Sequence, residues 1–190
     1  RLTAHLSIAF LIFGAITWTA LTVLYPSKAN LNTPAKKMYK FSIAINLLLL
    51  IMVVSGGFVA GLRAGLIYNT FPLMGNSFIP PDLFALSPWW TNFFENMTTV
   101  QFNHRIIAYT LAALIPIFWF RLRRRDVSLR TKNFSSLMLC LLTAQMILGI
   151  ATLLSGVPVI LGVAHQAVAS LLFITSLCVT HSIASRRGMI

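Results

Sequence analysis

Two histidines stand where imidazoles are costly. His104 lies in Gln101-Phe102-Asn103-His104-Arg105, and His165 follows sixty-one residues later in Ala164-His165-Gln166. Each sits close to the start of a long apolar segment, and an ionisable side chain inside a membrane marks a functional candidate whose partner must be named. Two imidazoles at one depth on separate helices can hold a haem iron between their ring nitrogens. One turn further along stand Ala108 and Ala169, on the faces that carry the histidines and small enough to admit a porphyrin edge. Arg105, beside the first histidine, can offer its fork of donors to a haem propionate. Blander readings compete. His104 can be an interfacial residue bonded to a neighbouring loop, and His165 a buried histidine satisfied by Gln145 or by another helix. His5 has no further histidine at its own depth to pair with, and His181, near Arg186, reads as an ordinary interfacial residue.

The elements that position these residues are membrane helices. The 190 residues are 57% hydrophobic and 9% charged, against about a quarter charged in a soluble domain. Five segments reach the roughly 20 apolar residues that a bilayer core demands: Leu2–Tyr25, Phe41–Leu62, Phe102–Phe120, Phe134–Leu154 and Val159–Ala184. None begins like a secretory signal peptide. The fold class is therefore all-α, a polytopic membrane helix bundle. The net charge of +12 does not point to nucleic acid, because its distribution follows topology. Twelve of the 15 basic residues fall at alternate connections: Lys28 to Lys40, Arg121 to Lys132, and Arg186 with Arg187. The positive-inside rule puts these inside and the N-terminus outside, with the bilayer and its anionic headgroups as sufficient partners. His5, His104 and His165 then share the outer depth, and His181 is alone on the inner side.

Residues 64–100 form a long outer loop rich in aromatics and prolines, with only Asp82 and Glu95 as acids. Such a loop should lie at the interface or cap something. Before it, Gly57, Gly61 and Gly65 share a helix face, which suits either close helix packing or a flat cofactor. Cys140 and Cys178 read as small apolar residues, and the sequon-like Asn96-Met97-Thr98 reads as chance. Ala4-His5-x3-Ala9-x-Leu11-x-Phe13 recurs as Ala164-His165-x3-Ala169-x-Leu171-x-Phe173. This suggests that residues 1–26 are the last helix of one four-helix repeat. Residues 27–40 would be an inner-side loop and 41–190 a second, complete repeat. About three helices would then precede Arg1.

Gly56-Gly57-Phe58-Val59-Ala60-Gly61-Leu62-Arg63-Ala64-Gly65, followed by Tyr68-Asn69-Thr70-Phe71-Pro72-Leu73-Met74, resembles the haem A synthase family. Gln101 to Arg105 with Ala108-Tyr109, and Ala164-His165-Gln166, resemble that family's later histidine motifs. The likeness runs over the whole chain, from the family's fourth transmembrane helix to its eighth. It favours the mitochondrial and proteobacterial branch, since residues 64–100 hold no cysteine. The resemblance implies an oxidoreductase of the inner membrane, bacterial or mitochondrial, that oxidises a methyl group of haem O to the formyl group of haem A for cytochrome oxidase assembly. It implies haem b between His104 and His165, and His5 as a ligand of the substrate haem. The other ligand and a catalytic acid are expected in the preceding half, so this stretch alone is expected to be inactive. The haem O synthase and further copies of the chain are expected protein partners.

Two other functions fit the residues. A cytochrome b-like electron carrier uses histidine pairs but often stacks haems at two depths, and the inner side offers only His181. A small transporter needs ionisable residues along a path near midplane, where Gln145 is thin support.

Overall fold

The computed structural model describes residues 1–26 and 33–185, and among them the regular elements are helices. They are α1 (Leu2–Leu24), α2 (Thr33–Gly61), α3 (Met97–Arg123), α4 (Leu129–Leu154) and α5 (Val159–Ala184). All five are long and apolar enough to cross a membrane, as expected, and the chain is a multi-pass membrane protein. Lys28, Asn30, Asn32, Arg186 and Arg187 lie outside the described residues, with residues 27–32 of the expected 27–40 connection.

Three helices begin earlier than hydropathy suggests. α2 starts at Thr33 rather than Phe41, so residues 33–40 are helix and not loop. α3 starts at Met97 rather than Phe102, and α4 at Leu129 rather than Phe134. An apolar window registers only the stretch that fits hydrocarbon, whereas a helix runs back to its cap. Asn96 accepts from Thr99 N at 3.1 Å, and Ser128 accepts from Thr131 N at 3.2 Å. Asn96 is thus committed to backbone, which gives the sequon a structural role.

The helices α2 to α5 form a four-helix ring in which each packs on the next and α5 closes on α2. α3 and α5 therefore occupy one diagonal. α1 lies outside the ring, against α2 and α5. Its Thr3 meets bare Gly57, where an added Cβ would stand 3.2 Å from the Thr3 Cα, and Phe10 packs on Phe173 with ring centroids 5.6 Å apart. Gly65 faces Val157 in the α4–α5 turn. Gly57 and Gly65 thus serve packing, the first of the two uses the sequence allowed.

The apolar core sits at one end of the ring. Ile45, Ile115, Phe118, Leu122, Met138 and Val179 are almost wholly buried, and all lie toward the end where α3 finishes and α4 begins. A polar tie adds to it: Ser176 Oγ donates to Asn46 Oδ1 at 2.5 Å, and Asn46 Nδ2 donates to Thr180 Oγ1 at 2.7 Å. His181 joins this end too. It is 4% exposed, edge-on to Trp18, with Nδ1 3.0 Å from Ser185 Oγ, so near the end of α5 it is packed into the bundle. Toward the other end, beyond Leu142 on α4 and Leu172 on α5, only Thr152 is buried on those two helices. That second end carries the two histidines.

The loop between α2 and α3 is folded around Asn92, which is 0% exposed. Its side chain accepts from Leu86 N and Asn96 Nδ2, and donates to the carbonyls of Leu86 and Trp89. Around this knot Phe78, Ile79, Trp89 and Trp90 remain exposed.

Candidate functional site

His104 is the eighth residue of α3 and His165 the seventh of α5. At 1.5 Å per residue they stand about 10 Å and 9 Å from their helix starts, so they share a depth. They stand on α3 and α5, the two helices on one diagonal of the ring. Both side chains are half-buried.

The two environments are built alike. His104 lies over Gly56 of α2, where an added Cβ would come 3.3 Å from its Cε1. His165 lies over Gly149 of α4, where an added Cβ would come 2.9 Å from its Cε1. Only glycine lets a ring lie so close to a neighbouring helix. Each supporting helix also supplies one polar contact. Ser55 Oγ is 3.2 Å from His104 Nδ1, and Gln145 Nε2 is 3.2 Å from His165 Nε2. The Gln145 partner anticipated for His165 is therefore present, yet His165 Nδ1 and Gln145 Oε1 stay buried and unbonded. Ala108 and Ala169, one turn inward, are half-buried.

Arg105 is turned to the loop. It is 9% exposed, and its Nη1 donates to the Leu73 carbonyl at 3.1 Å and, at 3.4 Å, to that of Pro72. Nη2 donates to the Tyr68 carbonyl at 3.0 Å, which Gln101 Nε2, one turn earlier, also reaches at 3.0 Å. Asn69 Nδ2 bridges to the Leu153 carbonyl at 2.9 Å, tying the same segment to α4. Residues 68–73 are thus clasped across the outer ends of α3 and α4, a capping role for the loop. Both terminal nitrogens of Arg105 serve this clasp, and a propionate would have Nε, buried and unpartnered, or would compete with carbonyls. His5 is exposed on α1, apart from the half-buried pair.

Sequence reasoning missed Ser55 and Gly56 as the support of His104, and Asn46 in the inner tie. Ser55-Gly56 sits beside the glycine series, but only the relative rotation of α2 and α3 shows which glycine faces the imidazole.

Known proteins match this chain over most of its length. Residues 1–177 match the COX15-CtaA family model, described as cytochrome oxidase assembly protein. The chain belongs to that family. It is 53% identical over 184 residues to the heme A synthase of Nitrosospira multiformis, covering 96% of this chain and 52% of that protein. Against heme A synthase COX15 of Arabidopsis thaliana it is 40% identical, covering 96% of this chain and 41% of the relative. Against the Homo sapiens COX15 it is 43% identical, covering 88% and 41%. The chain thus spans about half the length, or less, of these curated relatives. No solved structure matches.

The donor set suits a porphyrin. Among the described residues no three His, Cys, Asp or Glu side chains gather to hold a bare metal ion. A haem iron brings four nitrogens of its own and asks the protein for two axial ligands. Two imidazoles on one diagonal, each over a bare glycine, with unpartnered polar atoms beside one of them, fit that demand.

Proposed function

We propose that this chain forms the resident-haem half of a haem A synthase, with His104 and His165 as the axial ligands of a haem b. One observation carries the reading. Two half-buried imidazoles share a depth on the ring's diagonal, each laid on a glycine, at the end that α4 and α5 leave almost without buried side chains. When bound, an iron porphyrin supplies one-electron redox chemistry. The chain's own part is positional. Gly56 and Gly149 let the rings lie against α2 and α4, Ser55 orients His104 through Nδ1, and Arg105 with Gln101 clasps the loop at the outer end of α3. Synthesis of haem A follows from the relatives' names, haem O as substrate and a place in the inner membrane from the family resemblance, and all of these belong to the whole protein. In that protein, exposed His5 would ligate the substrate haem, as its sequence likeness to His165 suggests. The packing of His181 against Trp18 and Ser185 gives no support to a second haem at the inner depth, so a two-haem electron carrier is not favoured.

The test is spectroscopic. Purified with haem b, the wild-type chain should show the Soret band of a six-coordinate, low-spin iron. His104→Ala or His165→Ala should abolish or shift that spectrum while His181→Ala leaves it alone. Loss of haem on His181→Ala, with retention on His165→Ala, would overturn the assignment.

A further inference from the structure

The two ligand candidates are not held in the same way. Ser55 engages Nδ1 of His104, whereas Gln145 engages Nε2 of His165. An amide nitrogen can only donate, so in this geometry His165 Nε2 gives its lone pair to Gln145 and carries its proton on Nδ1. That Nδ1 is buried and unpartnered, as is Gln145 Oε1. Turning the amide over would let Oε1 accept from a protonated Nε2 instead. Either way Nε2 is not free to bind a metal: its lone pair is engaged in the first case, and it carries the proton in the second. At His104 the bonded nitrogen is the one whose partner commonly orients a metal-bound imidazole, so its contact supports ligation.

We infer that Ser55 and Gln145 are positioning residues of opposite effect: Ser55 presets His104 for a haem iron, while Gln145 latches His165 and must release it before Nε2 can bind. This rests on the haem-binding reading above. The latch has a physical reason. A half-buried imidazole in a membrane needs a partner when no iron is bound, and Gln145, one turn from Gly149 on the same face, supplies it. Haem would then be taken first by His104 and completed by His165, making His165 the more easily displaced ligand.

The experiment is titration of the full chain in detergent, freed of haem, with ferric protoporphyrin IX, followed by reduction and exposure to carbon monoxide. Gln145→Met keeps the side-chain length and removes the donor. It should tighten haem binding roughly five- to tenfold, the worth of one neutral hydrogen bond, and lower the fraction that carbon monoxide can ligate. Ser55→Ala should weaken binding about tenfold and raise the five-coordinate fraction. Gln145→Leu is the second variant, and the helical content of each haem-free protein checks its folding. Opposite signs for the two positions support the inference. Weaker or unchanged binding in both Gln145 variants ends it while leaving bis-histidine ligation intact. A wild-type chain that takes up no haem ends the functional reading and this inference with it.

Discussion

Gly149→Ala asks whether the close approach of His165 to α4 is required. The added methyl would stand 2.9 Å from His165 Cε1, where carbon atoms settle at about 3.5–4.0 Å, so the ring must retreat by about 0.6–1 Å. In the haem-free protein the ring is held at this spot by Gln145, one turn along the same helix face, and an iron bound to Nε2 would hold it as firmly. Gly56→Ala is milder: 3.3 Å from His104 Cε1 asks for a few tenths of an ångström. Gly162→Ala, on α5 with nothing within 4 Å, is the control and should gain about 1 kcal/mol of helix stability. All three substitutions carry that propensity gain, so stability and ligation separate. We expect Gly149→Ala to cut haem affinity about 10- to 100-fold, the range for disturbed support of a metal ligand, with Gly56→Ala intermediate and Gly162→Ala neutral. The assay pairs haem titration with thermal unfolding of the haem-free protein. Wild-type affinity in Gly149→Ala, or a larger loss in Gly56→Ala, would refute the reasoning.

Arg105→Gln should free the clasped loop, because three carbonyl contacts to a charged fork disappear; protease cleavage within residues 68–73 should rise well above wild type. Asn92→Ala leaves four loop groups without their partner and should cost about 2–4 kcal/mol, read as a lower unfolding midpoint. Topology predicts that a cysteine at exposed Ser77 is labelled from outside and one at exposed Arg125 only after permeabilisation, with Cys140 and Cys178 removed. The reverse pattern would invert the bundle.

The number of helices was legible because a bilayer core sets both their length and their composition, and the outer pair of histidines because imidazole stands out in such runs. Helix starts were less legible: Lys36, Lys37 and Lys40 belong to α2 although they break its apolar run. The local chemistry was legible where the candidate partners were few, as with Gln145, one of two partners open to His165. The clasp made by Arg105 was not legible, because its charge suggested an acid of the ligand and the peptide carbonyls it meets are not displayed by hydropathy or spacing. Ser55 against His104 was invisible, since it depends on how α2 turns relative to α3.

The uneven packing along the ring has a kinetic consequence. At the inner end, close-packed apolar side chains and the Asn46 tie bind α2 to α5, so openings there must approach global unfolding. At the histidine end, backbone amides of α4 and α5 have few buried neighbours to break before they meet solvent or detergent. The bundle is thus a stiff base with a compliant mouth. A broad, flat molecule can enter by local breathing of the mouth, on a timescale far shorter than the lifetime of the base, without the fold ever coming apart.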